Sequence, residues 1–551
     1  MKDNNKFRFD IWGIITLCTI AVYLLFLIYP MAHLFRQAIT DSQTGTFTLA
    51  NFVKFFSKSY YSDTLFNSFK VSISATILSL LMGTPLAYFF SVYIIKGKAL
   101  LNILIIVASM SAPFIGAYSW IMLLVRSGVF TSFLGKLGIN LPDIYGFGGI
   151  VLVMSLQLFP LVFLYARGAL KNIDNSLIEA ANNLGCAGIN CFLKVVIPLI
   201  MPTLLAAGLL VFMRSFADFG TPMLIGEGYR TFPVVLYTEF INEVGSNDGF
   251  AAAIAIIAII ITTIVFLAQK YISNRNSFAL NALHPIIEKD PKKSVKPWVY
   301  LFTYAVVGLA VLPQVYVTYT SFKKTAGKIF VPGYSLNSYV AAFGKLGKSI
   351  QNTIIIPIIS LVVIVLLAIL IAYLVVRRRN AFTGAVDVLS MIPYIIPGTV
   401  LGIALLTGFN QRPLLLSGTM LIMVVALIIR RLPYTIRSSV AILQQIPISI
   451  EEAAISLGAT KMKAFFRVTV PMMASGIVAG AILSWVTMIS ELSTAIILYT
   501  GKTKTLTVAV YTEVVRGNYG VAAALSTILT LLTVVSLLIF NKVNGGKDVS
   551  V

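Results

Sequence analysis

The sequence predicts an all-α polytopic membrane protein with about twelve transmembrane helices, arranged as two tandem halves of six. The first observation is composition, because the 551 residues are 58% hydrophobic and 11% charged, with a mean hydropathy of +0.90. A soluble core of ordinary size could not enclose that much apolar surface. The second is that apolar windows recur along the chain, and the third is that the halves repeat one another.

The individual spans follow from the length of the apolar windows, since a helix needs roughly 20 apolar residues to cross about 30 Å of hydrocarbon. The window near 415–429 is short for a span. The first half contains windows at about 12–34, 66–95, 100–125, 148–166, 201–225 and 249–271. The second half contains windows at about 298–319, 351–376, 384–406, 415–429, 475–499 and 519–540.

The repeat predicts the domain organisation. Asn67 matches Asn352 at a spacing of 285, and Glu179 matches Glu452 at a spacing of 273. Six spans per half is an even number, so both halves insert the same way up, related by a pseudo-twofold axis along the membrane normal. The predicted units are a first half at 1–271 (core about 66–271), a cytoplasmic basic linker at 272–297, expected to be a solvated connector, and a second half at 298–551 (core about 351–540).

Basic residues close to the spans predict the orientation, because Lys and Arg resist translocation. We expect short cytoplasmic connections at 96–98, at 377–379 and at Arg430, Arg431 and Arg437, which place both termini in the cytoplasm. The first apolar run has no small-residue cleavage site after it and is expected to remain as a span. The net charge of +22 is scattered over both sides, so anionic lipid is a simpler partner than nucleic acid.

Two segments share one design: EAANNLGCAGINCFLKVVIP at 179–198 and EAAISLGATKMKAFFRVTVP at 452–471. Glu and Ala favour a short helix, glycine turns the chain, a second short helix follows, and a proline opens the next span. This pattern predicts a helical hairpin on the cytoplasmic face that fits a cleft on a soluble partner. The alternative is a hairpin that merely caps the helix bundle. The residues concerned are Glu179, Ala180, Ala181, Gly185 and Pro198, with Glu452, Ala453, Ala454, Gly458 and Pro471.

These segments resemble the EAA loops of ATP-binding-cassette (ABC) importer permeases, with Val or Ile where the family favours Ile and Leu before the proline. The resemblance extends over about 66–271 and 351–540. It implies coupling helices that dock on two ABC ATPase subunits, expected as a homodimer, with ATP and Mg²⁺ bound there. It also implies an extracytoplasmic solute-binding protein and a place in the bacterial cytoplasmic membrane. The stretch SFADFGTP is similar to the ferric-iron group, with thiamine, phosphonate and sugar-phosphate permeases as relatives.

The chain itself is not expected to be an enzyme or to carry a cofactor. The string Gly347-Lys348-Ser349 lacks the earlier glycine of a phosphate-binding loop, since Ala342 stands there. ATP hydrolysis is therefore expected on separate subunits. His33 and His284 have no ligand-like spacing, so no metal site is predicted. No nucleophile and base constellation favours a membrane enzyme.

Charged residues and prolines inside the spans are candidates for the translocation pathway, because burying a charge in lipid is costly. Arg214 and Asp218 are four residues apart and are expected to pair on one helical face. Glu491 matches Asp218, but Thr487 stands where the first half has Arg214. The alternative is a role in helix packing. Pro113 and Pro397 are expected to kink spans beside the same pathway.

A secondary transporter with parallel halves, driven by an ion gradient, is the alternative from another class. It would explain the duplication and the intramembrane carboxylates. It would not explain two hairpins of the same design at 179–198 and 452–471.

Overall fold

The computed structural model describes residues 10–275, 284 and 286–543, apart from 42–43, 111–112, 126–127, 139–142, 187 and 243–247. The described part of the first half is helical. Its helices are α1 Ile11–Tyr23, α2 Tyr29–Ala38, α3 Ala50–Ser57, α4 Ser59–Val92, α5 Lys98–Met110, α6 Pro113–Leu124, α7 Val129–Lys136, α8 Phe147–Lys171, α9 Asn175–Asn183, α10 Ile189–Cys191, α11 Ile197–Phe216, α12 Gly220–Ile225, α13 Phe232–Asn242 and α14 Asp248–Arg275.

The second half repeats this order and adds an antiparallel β-hairpin between its first two long helices. The strands are β1 Lys323–Ala326 and β2 Ile329–Tyr334. The helices are α15 Lys296–Ser321, α16 Asn337–Arg377, α17 Ala381–Ile395, α18 Gly398–Gly408, α19 Met420–Gln445, α20 Ile448–Ser456, α21 Lys461–Ala464, α22 Val470–Met472, α23 Ala474–Ile489, α24 Ala495–Leu498, α25 Leu506–Val515 and α26 Tyr519–Val543.

The described residues contain eight helices long and apolar enough to cross a membrane, or up to eleven if each of three bent helix pairs is one span. The bends are 101° between α5 and α6, 110° between α17 and α18, and 66° between Lys461–Met472 and Ala474–Ile489. The predicted short window at 415–429 corresponds to α19, which runs from Met420 to Gln445. This helix has the length of a span, but three arginines lie within it.

The core of each half is a group of three tightly packed long helices. In the first half α4, α8 and α11 pack together, and in the second half α16, α19 and α23 do so. Small residues allow close approach, as is usual between membrane helices. A Cβ on Gly83 would lie 2.8 Å from the Phe159 carbonyl oxygen, and one on Gly480 would lie 2.6 Å from Thr435 Cα. These glycines therefore set the helix spacing.

Matched hydrogen bonds confirm the internal repeat. The Asn67 side chain donates to the Arg230 carbonyl, and Asn352 donates to the Lys504 carbonyl, each at 3.0 Å. One residue further on, the Ser68 hydroxyl accepts from the backbone N–H of Phe232, and Thr353 accepts from that of Leu506. The asparagine repeat seen in the sequence therefore fixes the turn before α13 and before α25.

The first long helix of each half packs on the core of the other half. Trp12, Tyr23 and Leu27 belong to the buried cluster that the second half mainly forms. Val299 and Val306 of α15 belong to the cluster of the first half. Helix α1 packs against α17, α2 against α18, and α15 against α5 and α6. The first helices of each half thus pack on the opposite half and add to the contact between the halves.

The linker is expected to be a solvated connector, and most of its described residues are exposed, but its backbone is also hydrogen-bonded to the first half. The backbone N–H of Ile94 donates to the Lys289 carbonyl at 3.1 Å, and that of Lys289 donates to the Val92 carbonyl at 2.9 Å. The N–H of Asn175 donates to the His284 carbonyl at 2.8 Å. The linker is therefore anchored both to the end of α4 and to the start of α9.

Candidate functional site

The first predicted hairpin is present in the structure. Helix α9 begins after Asp174, whose side chain accepts a hydrogen bond from the Ser176 backbone N–H. It ends at a turn in which the N–H of Gly185 donates to the Asn182 carbonyl and that of Cys186 donates to the Ala181 carbonyl. Gly185 has a φ of +83°, which favours glycine. Helix α10 follows, and Pro198 stands at the start of α11.

The second hairpin has the same turn. The N–H of Gly458 donates to the Ile455 carbonyl and that of Ala459 donates to the Ala454 carbonyl. Gly458 has a φ of +90°, and Thr460 caps the next helix, α21. Both glycines of the sequence motif are thus required by the backbone conformation, at the spacing of 273 residues that the repeat predicted.

The two prolines of the motif follow matched π-helical turns at Phe192–Val196 and Phe465–Thr469. The N–H of Ile197 donates to the Phe192 carbonyl, and that of Val470 donates to the Phe465 carbonyl. A proline ring clashes with the carbonyl four residues earlier, and a wider turn moves that carbonyl aside. Pro198 therefore joins hairpin to span without breaking the helix, whereas the helix that contains Pro471 ends at Met472 and bends by 66° into α23.

Each hairpin exposes a leucine beside its glycine turn. Leu184 is 88% exposed and Leu457 is 90% exposed, and they occupy matched positions. Ile189 beside the first turn is 72% exposed, and Ile455 beside the second is 40% exposed. Glu179 and Glu452 are exposed on the same hairpins. Exposed apolar side chains of this size, grouped at a polar turn between helices, are typical of a protein interaction surface.

The bases of the two hairpins differ in a way that was not predicted from the sequence. Ile178 is buried under the first hairpin, whereas the matched residue of the second is a buried glutamate, Glu451. Arg377 donates through Nε to Glu451 Oε1 at 2.8 Å, and the Tyr373 hydroxyl donates to Oε2 at 3.2 Å. The ring of Tyr373 also packs on Phe465 at 4.8 Å between centroids. The second hairpin is therefore ionically fixed to the end of α16.

A cavity of about 310 Å³ lies between the two halves. It contains four of the five candidate pathway residues, Arg214, Asp218, Glu491 and Pro397. Pro113 begins α6, next to Phe114, which lines the cavity. The bend between α17 and α18 lies at Ile396 and Pro397, and the break between α5 and α6 includes residues 111–112, which lie outside the described residues. A place for Pro113 and Pro397 in a translocation pathway stays a prediction. The cavity is also lined by polar residues that were not predicted from the sequence, among them Gln157, Tyr394, Arg430, Arg431 and Tyr434.

The intramembrane carboxylates have a structural role in matched turns. Asp218 Oδ2 accepts a hydrogen bond from the Thr221 backbone N–H at 3.2 Å. Glu491 Oε1 accepts one from the Thr494 N–H at 3.0 Å. Helix α11 ends at Phe216, so Asp218 does not continue its face. The predicted pair of Arg214 and Asp218 is therefore wrong, and no ion pair joins them among the described residues.

Glu491 has cationic partners on a neighbouring helix. Arg431 Nη2 donates to Glu491 Oε2, and Arg430 Nε lies 3.3 Å from the same oxygen. Arg430 also donates to the Thr494 hydroxyl at 2.7 Å. A short cytoplasmic loop was expected at these arginines, and that expectation is wrong because α19 continues through them.

The bend after Pro397 makes room for one of these arginines. A Cβ on Gly398 would lie 1.5 Å from Arg430 Nη1. The guanidinium thus packs on the bare backbone where α18 begins. The missing side chain of Gly398 and the bend before it leave space for the Arg430 guanidinium, which faces Glu491.

Fold and site together define a duplicated membrane protein with two matched hairpins and a polar cavity between its halves. The family model for "binding-protein-dependent transport system inner membrane component" matches residues 59–278 and 364–545. The two matches extend over more than half of the chain, and the chain belongs to this family.

Two relatives match this chain over most of its length. The chain is 27% identical to the ferric transport system permease protein FbpB of Actinobacillus pleuropneumoniae, over 97% of this chain and 78% of the relative. It is 26% identical to the putative ferric transport system permease protein FbpB 1 of Haemophilus influenzae, over 89% and 78% respectively. A solved bacterial ABC transporter for alginate import covers 46% of this chain at 17% identity with a TM-score of 0.36, which is too low to support an inference.

Proposed function

We propose that this chain is the membrane-spanning subunit of a ferric-iron importer of the bacterial cytoplasmic membrane. Two separate ATPase subunits, forming a homodimer and holding ATP and Mg²⁺, drive it. An extracytoplasmic binding protein delivers the iron. The names of the two ferric permease relatives, each matched over most of the chain, support iron as the solute. Family membership favours this function over an ion-coupled secondary transporter.

The observation that carries the proposal is the matched pair of protruding hairpins. Each has the same glycine turn and the same exposed leucine, Leu184 or Leu457. A bundle cap would bury these leucines against the spans. Two equivalent hairpins at matched positions could each bind one of two equivalent clefts, one on each subunit of a symmetric ATPase dimer.

Each hairpin is connected through the next helix of the chain to a residue that lines the cavity. From the first hairpin the chain enters α11, whose last turn carries Arg214, and from the second it enters α23, which precedes Glu491. In the first half the π turn keeps hairpin and span in one helical segment, Ile189–Phe216, whereas in the second half a bend of 66° separates Lys461–Met472 from Ala474–Ile489. Closure of the ATPase dimer would therefore shift both sides of the cavity together. In this arrangement the hairpins and both termini lie in the cytoplasm.

The test is iron uptake by the complete complex. The chain, its ATPase and its binding protein are reconstituted in liposomes, and ATP-dependent accumulation of ⁵⁵Fe(III) is measured. Glu452→Lys reverses the charge of an exposed hairpin residue, and Gly458→Pro forbids the φ of +90° at the turn. Both variants are expected to abolish uptake and ATPase docking while the chain still inserts.

The control is Ile287→Lys, which adds a positive charge at an exposed linker residue that belongs to neither hairpin segment. It is expected to transport like the parent chain. Normal uptake by Glu452→Lys and Gly458→Pro would remove the coupling role from the hairpins. Absence of ⁵⁵Fe uptake by the parent complex would remove iron as the solute.

A further inference from the structure

The cavity between the halves holds more positive than negative charge. Its basic and acidic side chains are three guanidinium groups and two carboxyl groups, those of Arg214, Arg430, Arg431, Asp218 and Glu491. Arg430 and Arg431 both face Glu491, so this cluster is largely neutralised. Asp218 directs an oxygen to the backbone at Thr221. Among the described residues, Arg214 is left without a carboxylate partner.

Arg214 is nevertheless positioned to meet a solute. Helix α11, which carries it, packs against α4, α8 and α14, yet the Arg214 side chain is exposed. Since Arg214 lines the cavity, its exposed surface faces that space. Tyr165, Tyr394 and Tyr434 lie around the guanidinium. Phenol groups are neutral at ordinary pH, so they offer hydrogen bonds without cancelling the charge.

The lining is unsuited to a bare trivalent cation. An unpaired guanidinium repels it, and the described residues contain no group of three or more His, Cys, Asp or Glu that could hold a metal ion. A guanidinium instead binds phosphate and carboxylate through two parallel hydrogen bonds. The volume of about 310 Å³ is at the lower end of the range for small-molecule sites.

We propose that Arg214 binds an oxyanion in this cavity, so that a ferric ion crosses as a complex with a phosphate or carboxylate ligand and not as a bare ion. This inference rests on the proposed function for its metal. The recognised chemistry is the oxyanion, which could enter as a ligand of iron or as a free solute, and the experiment separates these two sources.

The helix packing that the two halves share does not require an arginine at the position of Arg214. Thr487 occupies the matched position of the second half, and its hydroxyl bonds within its own helix to the Leu483 carbonyl. Threonine is thus compatible with this position of the helix. Arg214→Thr is therefore a second variant that removes the charge, and it introduces the residue that the second half already has at the matched position.

The experiment uses the full complex in liposomes, with ⁵⁵Fe(III) and [³³P]phosphate as the sole oxyanion outside. Both labels are expected inside at a fixed ratio. Losing a charge-assisted hydrogen bond should lower the uptake of both labels about 10- to 100-fold in Arg214→Gln and Arg214→Thr. The matched control is Arg437→Gln, because Arg437 is exposed on α19 and pairs with Asp387 outside the cavity. It should transport normally.

Each other outcome has a definite meaning. Entry of ⁵⁵Fe without ³³P, at unchanged rates in both Arg214 variants, would overturn the inference and leave iron transport standing. Entry of phosphate without iron would support the oxyanion site and overturn iron as the solute. If neither label entered through the parent complex, the proposed function itself would fail, and the inference with it.

Discussion

Truncating the exposed hairpin leucines should weaken ATPase docking by an amount that follows from their exposure. Leu184 and Leu457 are 88% and 90% exposed, so nearly the whole side chain is available for burial in a partner. Replacing leucine by alanine removes three carbons, each contributing about 0.8 kcal/mol when buried. The expected loss is about 2 kcal/mol of binding free energy per site, or roughly 30-fold in Kd.

The double variant Leu184→Ala/Leu457→Ala should lose about 4 to 5 kcal/mol, roughly 10³-fold, because contributions from separate hairpins add. The assay is titration of the purified ATPase onto the chain in lipid nanodiscs. Ile287→Ala is the matched control, since Ile287 is 73% exposed on the linker. A wild-type Kd for the double variant, with the chain correctly folded, would refute the reasoning.

Further predictions concern the cavity and the hairpin turn. Glu491→Gln leaves the Arg430 cluster without its counter-charge and should lower stability by about 3 kcal/mol or more, seen as a reduced thermal midpoint and reduced uptake; unchanged uptake would favour a packing role alone. Asp218→Asn keeps an acceptor for the turn and has no ion pair to lose, so its midpoint should fall far less, and an equal fall would contradict the assigned contacts. Gly398→Ala places a methyl group on the Arg430 guanidinium and should lower the midpoint toward that of Glu491→Gln; a parental midpoint would show that the arginine can move freely. Gly458→Ala, strained at a φ of +90°, should cost about 1 to 2 kcal/mol in the hairpin alone, measured as faster amide hydrogen exchange over residues 448–464 and contradicted by parental exchange.

The hairpins could be predicted from the sequence because their signals are local. A helix-favouring triplet, a glycine that the turn requires and a proline at the next span each act within a few residues. The structure places Gly185 and Gly458 at positive φ in matched turns. The role of the exposed leucines beside them could not be predicted, because exposure depends on the packing of the whole bundle.

The cavity could be predicted only in part. The positions of Glu491 and Asp218 followed from the repeat, but their partners did not. Hydropathy treats Arg430 as the end of a span, whereas α19 continues because Glu491 on another part of the chain compensates the charge. The proposed pair of Arg214 and Asp218 failed because the helix ends between them at Phe216. Contacts distant in sequence, such as that of Trp12 with Tyr373, leave no local signal.

The proposed function requires both hairpins to contact a cytoplasmic ATPase. Cys18, Cys186 and Cys191 are free thiols, so they are first replaced by serine, and single cysteines are then introduced as Leu184→Cys and Leu457→Cys. In whole cells a membrane-impermeant thiol reagent should leave both cysteines unlabelled, and a photoactivatable crosslinker attached in inside-out vesicles should join each to an ATPase subunit. Labelling from outside the cell, or the absence of a crosslink from either position, would contradict the account.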